Sequence, residues 1–213
     1  MPETTAVAAV EPTGVARQAI LDARQHVFGY ELLCRANARD TGWTGALDEA
    51  SARVLDDGLL SIGLKTLTSG RKAFINLTTG MLLSDAATVL PPESVVLELL
   101  ENIPADSATL EACRSLRARG YALALDDFVP GSDAEAFVRY ASYVKVDLLG
   151  TPAEEWAPLA HRLLPRGIRM LAEKVETREV FERARSAGYS LFQGYYFCRP
   201  ATVTVRALST SQI

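Results

Sequence analysis

The stretch Leu123-Ala124-Leu125-Asp126-Asp127-Phe128 is the feature around which this chain of 213 residues is organised, because an apolar run of strand composition ends there in two adjacent carboxylates. Such carboxylates at the edge of a hydrophobic sheet repel each other and lose hydration, so they usually require a compensating cation. A divalent metal ion is the natural candidate. The alternative is a strand that simply stops, with an aspartate capping the next helix. The stretch alone leaves both interpretations open.

Strand-like and helical segments alternate on both sides of this stretch. Residues 15–21 and 27–33 have hairpin spacing and predict an antiparallel pair. Apolar positions over 47–59 recur with helical period, and further strands are predicted near 73–77, 94–101, 143–147, 168–173 and 190–194, with helices between them. Residues 132–135 have the pattern of a capping box. About seven such strands after a leading hairpin predict an α/β fold, a modified TIM (β/α)8 barrel with a leading antiparallel strand.

Composition narrows the classes of function. Residues 1–14 show no sustained period and predict a flexible tail, and residues 15–213 predict a single domain. The net charge of -4 argues against duplex nucleic acid as a partner. No apolar run is long enough to span a bilayer, and the N-terminal segment lacks the basic residues of a signal peptide, so we expect a cytoplasmic protein. With two histidines and three scattered cysteines, any metal must be held mainly by oxygen.

Nearly every predicted strand carries a polar residue near its C-terminal end. In a barrel these residues converge on one mouth, where barrel enzymes keep their active sites. A ring of buried charge without partners would be costly if it were only structural. Individual members keep simpler interpretations: Lys145 as an ion-pair partner for the acids, and Asn76 and Gln193 as buried amides bonded to backbone. The residues of this ring are Glu31, Asn76, Glu98, Asp126, Asp127, Lys145, Glu173 and Gln193.

Taken together, these motifs make residues 15–200 resemble the EAL-domain family of cyclic di-GMP phosphodiesterases. Glu31-Leu32-Leu33 stands where the name-giving Glu-Ala-Leu sits, and Arg35 follows it as in the family's Leu-Leu-Arg. The remaining matches follow in the family's order. They are Ile75-Asn76-Leu77-Thr78, Glu98-Leu99-Leu100-Glu101, Asp126-Asp127-Phe128, Lys145-Val146-Asp147, Ala172-Glu173-Lys174-Val175-Glu176-Thr177, and the segment from Gln193-Gly194 to Arg199-Pro200.

The resemblance implies hydrolysis of cyclic di-GMP to linear pGpG in bacterial second-messenger signalling, with two Mg²⁺ or Mn²⁺ ions as cofactors. It implies that one ion is held by Glu31, Asn76, Glu98 and Asp126, and that Asp127 and Glu173 serve the second ion or its waters. Glu31, Lys145 and Glu173 would be catalytic, with Lys145 orienting or helping to activate the attacking water. Arg35 would pair with a phosphate, Gln193 would lie near the guanine, and Glu176 would steady the loop after Asp127. Cyclic di-GMP is the implied partner, with a homodimer or a signalling protein as possible further partners.

Two departures from the family pattern support a second hypothesis. Val129-Pro130-Gly131 replaces the usual Gly-Thr-Gly, which predicts a stiffer, differently aimed loop. Lys174 replaces a glycine and places a cation beside Glu173, where it could compete with the second ion. Both changes resemble the sequence of the EAL branch that is often fused to an HDOD domain. The alternative to an enzyme is therefore a weak or inactive module that acts as a cyclic di-GMP receptor or a protein-interaction domain. Tyr195, Tyr196 and Phe197 are expected to pack in the core.

Overall fold

A computed structural model of the chain describes residues 15–34, 63–84 and 86–203. The predicted tail and the predicted helix over 47–59 lie outside these ranges. The strands are β1 (Val15–Asp22), β2 (Val27–Cys34), β3 (Lys72–Leu77), β4 (Val95–Leu99), β5 (Ala122–Leu125), β6 (Tyr143–Asp147), β7 (Arg169–Glu173), β8 (Leu191–Phe192) and β9 (Ala201–Val203). The α-helices are α1 (Leu64–Thr68), α2 (Thr79–Leu83), α3 (Ser107–Ala118), α4 (Trp156–Leu163) and α5 (Arg178–Ser186), and 3-10 turns cover Ala86–Val89, Asp133–Tyr140 and Leu164–Arg166.

The sheet closes into a barrel of eight strands. Strands β2 to β8 are parallel neighbours in chain order. Strand β1 is antiparallel to β2 from Val15 to Leu21 and to β8 at Leu21 and Asp22, so it joins the two ends of the sheet. The predicted barrel with a leading antiparallel strand is therefore confirmed. Strand β9, which the sequence did not indicate, pairs with the other end of β1, where Arg17 faces Ala201.

Alternate residues of each strand pack on opposite sides of the barrel wall. The outward-facing set packs under the helices in one large core, to which Leu97, Leu123 and Val146 belong. The inward-facing set forms a smaller cluster inside the barrel, which we call the barrel floor. Its members are Ile20, Phe74, Val96, Ala124, Tyr143, Leu171 and Leu191. Burying one large apolar side chain contributes roughly 1.5–3 kcal/mol, so the floor stabilises the barrel from within.

Side-chain caps begin α3 and α5. The Asp106 carboxylate accepts hydrogen bonds from the backbone N–H groups of Ala108 and Thr109 at the start of α3. The Thr177 hydroxyl accepts one from Val180 at the start of α5.

The capping box predicted at residues 132–135 is wrong. The Ser132 hydroxyl donates to the Val129 carbonyl, 2.7 Å away, instead of accepting from the following turn. The Glu135 carboxylate accepts from the backbone N–H of Gly131 and from Arg162. These side chains therefore brace the altered loop, and the segment that follows is a 3-10 helix.

Among the helices that the structure describes, none has both the length and the apolar character needed to cross a membrane.

Candidate active site

A two-residue spacing places the polar ring directly above the barrel floor. In the six strands from β3 to β8, the polar residue follows the floor residue by two positions, which keeps it on the inner face and one layer nearer the mouth. The pairs are Phe74 and Asn76, Val96 and Glu98, Ala124 and Asp126, Tyr143 and Lys145, Leu171 and Glu173, and Leu191 and Gln193. The predicted convergence of these residues on one mouth is what the geometry of the barrel produces.

Strand β2 has the same two-residue spacing, with Gly29 at the level of the barrel floor and Glu31 at the level of the polar ring. Gly29 lies two residues before Glu31, and a Cβ atom at Gly29 would lie 2.8 Å from the Lys72 carbonyl oxygen and 3.2 Å from the Phe74 ring. A side chain at this position would therefore collide with β3, so the Phe74 ring takes the space instead. The absence of a Cβ atom lets β2 and β3 approach closely enough to hold Glu31 at the mouth.

Lys145 lies at the centre of the site. Its ammonium Nζ is 2.7 Å from Asp126 Oδ1, 2.9 Å from Glu98 Oε1, 3.1 Å from Glu173 Oε1 and 3.6 Å from Glu31 Oε1. Its side chain is only 1% exposed. Four acids from four different strands or strand ends thus share one buried cation, and the ion-pair interpretation of Lys145 describes these contacts correctly.

Burial and charge shift the pKa values of this cluster. Burial alone would lower the pKa of Lys145, but the surrounding carboxylates, led by Glu173 and Glu31, raise it well above its usual range. The ammonium therefore keeps its proton and acts as a fixed positive charge. Burial raises the pKa of Glu98 well above its usual range despite the opposing charge of Lys145. Burial likewise raises the pKa of Glu173 to about 8, again against the pull of Lys145.

Two amides and a residue that sequence reasoning missed surround Glu31. The Gln193 Nε2 group donates to Glu31 Oε2 and, over 3.1 Å, to Gln18 Oε1. Asn76 Nδ2 donates to Glu31 Oε1 over 3.5 Å. Gln18 lies directly opposite Glu31 in the hairpin and is 9% exposed. Its position in the antiparallel strand, two residues before the floor residue Ile20, was the signal that could have found it.

Asp127, the second aspartate of the stretch from Leu123 to Phe128, lies on the rim of the mouth. The backbone of Asp127 takes a left-handed conformation, with φ of 41°, and the next residue, Phe128, donates its N–H to the Lys145 carbonyl and returns to the core. The Asp127 side chain is therefore exposed at the mouth while Asp126 contacts Lys145. Partial burial, followed by the charge of Asp126, raises the pKa of Asp127.

Lys174 does not pair with Glu173, as its sequence position suggested, but with Asp147. Its ammonium lies 2.6 Å from Asp147 Oδ2, and its backbone is left-handed, with φ of 53°. The other Asp147 oxygen accepts hydrogen bonds from the backbone N–H groups of Leu149 and Gly150. The ion pair thus connects the end of β6 to the loop that follows β7. The left-handed turn lets Lys174 pair with Asp147, while its charge still acts on Asp127 and Glu173, so its competition with a second ion stays a prediction.

The side-chain oxygens at the mouth are of the kinds that bind a divalent cation. The groups at the mouth are carboxylate and amide oxygens, which Mg²⁺ and Mn²⁺ prefer. Among the described residues, Asn76 Oδ1 and Glu98 Oε2 are buried and have no hydrogen-bond donor, so both have lone pairs available to an ion. Glu98 Oε1 likewise has no hydrogen bond of good geometry, although Lys145 lies 2.9 Å away as a counter-charge. Within the described ranges, however, no group of three acidic, histidine or cysteine side chains is already arranged around one ion position.

No contact with the Lys145 cluster supports the roles predicted for three other residues. Arg35 lies outside the described residues. Glu176 is exposed, and no hydrogen bond or ion pair joins it to another residue of the described ranges, so its role in steadying the loop stays a prediction. The expectation that Tyr195 packs in the core is wrong, because its side chain is 59% exposed. Tyr196 and Phe197 do pack against the core.

The chain is similar to known proteins in both sequence and fold. No protein-family model matches the chain. The chain is 36% identical over 205 residues to the cyclic di-GMP phosphodiesterase CdgJ of Vibrio cholerae, a match that covers 94% of this chain and 47% of that protein. The chain spans about half the length of this protein and of a second curated relative to which it is similar.

Solved structures share the fold. Klebsiella pneumoniae BlrP1, in a complex with manganese and cyclic di-GMP, superposes with a TM-score of 0.74 and 25% identity, covering 94% of this chain and 58% of that one. An EAL domain protein from Listeria monocytogenes superposes with a TM-score of 0.70 and 22% identity, covering 87% of both chains.

Proposed function

Because the chain belongs to the EAL-domain family, we propose that it hydrolyses cyclic di-GMP to linear pGpG in a reaction that requires a divalent cation. The observation that carries this proposal is the convergence of Glu31, Glu98, Asp126 and Glu173 on Lys145 above an apolar floor. The relative CdgJ is named as a cyclic di-GMP phosphodiesterase, and BlrP1 binds the nucleotide together with manganese.

Glu31, Asn76, Glu98 and Asp126 would hold one ion, and Asp127 and Glu173 would serve a second. When bound, divalent ions at this mouth supply charge for the phosphoryl oxygens and lower the pKa of an attacking water. Mn²⁺ and Mg²⁺ are both proposed, since an all-oxygen donor set suits either. Such ions would take over the role of counter-charge that Lys145 plays in the structure described here.

The chain's own residues would supply positioning and charge. The Lys145 ammonium stays protonated, so it would donate a hydrogen bond to the attacking water or to a phosphoryl oxygen and would not abstract a proton. Asn76 and Gln193 fix the Glu31 carboxylate through hydrogen bonds to its two oxygens. Arg35 is our candidate for pairing with a phosphate of the nucleotide. The apolar floor excludes water from below, which strengthens the interactions of these charges.

Incubation of the pure protein with cyclic di-GMP and Mn²⁺ or Mg²⁺, followed by chromatography of the products, tests the proposal. We expect pGpG from the wild type and none from Glu31→Ala. Glu93→Ala is the matched control, because Glu93 is exposed and precedes β4 at the opposite end of the barrel; it should retain full activity. Intact nucleotide in both metals, or full turnover by Glu31→Ala, would contradict the proposal.

A second candidate is a module that binds cyclic di-GMP without hydrolysing it. The observation in its favour is that Lys145 and Lys174 already neutralise acids at the mouth, at 2.7 Å from Asp126 and 2.6 Å from Asp147. Saturable binding of the nucleotide without formation of pGpG would support this candidate. A homodimer or a signalling protein as partner stays a prediction in either case.

A further inference from the structure

Acids from three neighbouring strand ends lie on the rim of the mouth together with a lysine. Asp127 follows β5, Asp147 is the last residue of β6, and Glu173 is the last residue of β7. Asp147 and Glu173 are direct partners in the register of these two parallel strands. Lys174 follows Glu173 in the chain, so its ammonium enters the rim from the same strand end. The part of the rim proposed to serve the second ion therefore carries a positive charge of its own.

The Lys174 ammonium is held in place by a turn and an ion pair. Its backbone is left-handed, with φ of 53°, and its Nζ lies 2.6 Å from Asp147 Oδ2. Asp147 is itself oriented by the backbone, because its Oδ1 accepts hydrogen bonds from the N–H groups of Leu149 and Gly150. The ammonium thus has a defined position at the rim although the Lys174 side chain is 50% exposed.

The charge of Lys174 acts on more than its direct partner. The hydrogen bond to Asp147, together with the charges of Asp127, Asp147 and Glu173, raises the pKa of Lys174 against the effect of partial burial. Burial and the charge of Asp126 raise the pKa of Asp127, and the charge of Lys174 opposes both. The ammonium therefore keeps its proton and neutralises negative charge that a divalent ion at the rim would otherwise neutralise.

We propose that the Lys174 ammonium supplies part of the positive charge of the second ion, so that this chain binds one divalent ion tightly and a second ion only weakly. This inference rests on the proposed function and refines its metal requirement. Cations repel each other most strongly within a Debye length, which is about 8–10 Å near physiological ionic strength. The acids proposed to hold the first ion contact a different lysine, Lys145, so Lys174 affects the second ion more than the first.

An ammonium replaces only some of what a second ion would contribute. Lys174 offers charge and N–H donors to a phosphoryl oxygen, but an ammonium does not lower the pKa of a bound water as a divalent ion does. Activation of the attacking water would therefore depend on the groups around the first ion.

Titration of the nucleotide-free protein with Mn²⁺ in a low-salt buffer tests the inference independently of turnover, with free Mn²⁺ measured by its electron paramagnetic resonance signal. The wild type should bind one ion tightly per chain. Lys174→Gly and Lys174→Met should each bind a second ion at least about tenfold more tightly than the wild type does, since one unit charge a few ångströms from a divalent ion has this effect even at the dielectric constant of water.

The choice of variants separates charge from folding. Glycine suits the left-handed backbone at this position, and methionine keeps the unbranched stem. Lys174→Arg keeps the charge and should bind Mn²⁺ as the wild type does. Lys65→Met is the control for loss of a surface lysine, because Lys65 is exposed and lies in α1, before β3.

A double variant distinguishes the charge of Lys174 from the loss of its ion pair. Adding Asp147→Asn to Lys174→Gly should reverse most of the gain in affinity for the second ion, because it removes a negative charge from the same rim. If only the broken ion pair mattered, the added change would have no effect, because Lys174→Gly has already broken that pair.

Three results would overturn the inference and leave the proposed function standing: two tightly bound ions in the wild type, unchanged Mn²⁺ binding in Lys174→Gly and Lys174→Met, or the same gain in Lys174→Arg. A chain that binds no Mn²⁺ with or without Lys174 and forms no pGpG would instead remove the proposed function, and this inference with it.

Discussion

Replacing Lys145 by methionine should destabilise the metal-free protein by about 3–5 kcal/mol, the typical cost of removing one partner from a buried ion pair. The Lys145 ammonium lies 2.7–3.6 Å from four acidic side chains and is 1% exposed. Methionine retains an unbranched apolar stem, so the change removes charge more than packing. Protonation limits the cost, because Glu98 and Glu173 already have raised pKa values and can take up protons in place of the ammonium.

The loss should grow as the pH rises. The pKa of Glu173 in the folded protein, about 8, lies above the value of about 4.3 expected in the unfolded chain. Its contribution to stability is therefore complete below about pH 4 and is lost as the pH rises through about 8. Removing the Lys145 charge raises the cost of ionising Glu173 further. The difference between variant and wild type should thus be small near pH 5 and largest above pH 8.

Urea unfolding in the presence of EDTA, followed by circular dichroism at several pH values, measures this difference. Lys65→Met is the matched control, because Lys65 is an exposed lysine of α1 and its replacement should change the free energy of unfolding by less than about 0.5 kcal/mol. In buffer without EDTA, one Mn²⁺ concentration set at 100 times the dissociation constant of the wild type should add about 2.7 kcal/mol to the wild type, and more to Lys145→Met, whose unbalanced acids should bind the ion more tightly. Equal stability of Lys145→Met and wild type in EDTA at pH 8.5 would refute the argument that Lys145 is the counter-ion of the cluster.

Two further changes test the backbone and the rim. Gly194→Ala should abolish the folded state or lower the midpoint of thermal unfolding by more than about 10 °C, because the new Cβ would overlap the Val175 carbonyl. A shift of this size is roughly the effect of losing more than about 3 kcal/mol of stability in a domain of this size. An unchanged midpoint would contradict the close approach of the two backbones. Lys174→Met should cost at most about 1 kcal/mol at pH 7, since the Lys174 side chain is 50% exposed. The Asp147 carboxyl, despite partial burial, has its pKa lowered by Lys174 and by backbone N–H groups, so this contribution exists above about pH 4 and is lost as the pH falls below it. Urea titrations that show the same effect at pH 3 and pH 7 would exclude the ion pair as its source.

The sequence predicted the barrel because its physical signals repeat. Each strand is a short apolar run, each helix follows with its own period, and the parallel arrangement brings all C-terminal strand ends to one face. The spacing of Phe74 and Asn76, or of Leu171 and Glu173, is visible in the sequence once the strands are placed. The position of the polar ring above the floor therefore follows from strand periodicity alone.

The features that the sequence could not predict depend on backbone direction. Left-handed conformations at Asp127 and Lys174 decide that one acid reaches the rim and that the lysine meets Asp147. Residue type signals these conformations only weakly, since neither position carries a glycine, although aspartate tolerates the left-handed region and Lys174 stands where the family has a glycine. The sequence did not predict strand β9 for a related reason. Its three residues have no periodicity to detect, and its pairing to β1 is set by the fixed loop before it.

The charge balance of the mouth connects stability with the proposed chemistry. The acids whose pKa values are raised, Glu98, Asp127 and Glu173, all face the mouth or its rim. Burial is the first cause of each shift, and the charge of Lys145 offsets it only in part. In the absence of a divalent ion the mouth therefore balances its acids with a lysine and with protons. A bound divalent ion would displace those protons, because carboxylate ligands must ionise to coordinate it. The acids that destabilise the folded protein without metal would thus also favour the binding of a divalent ion.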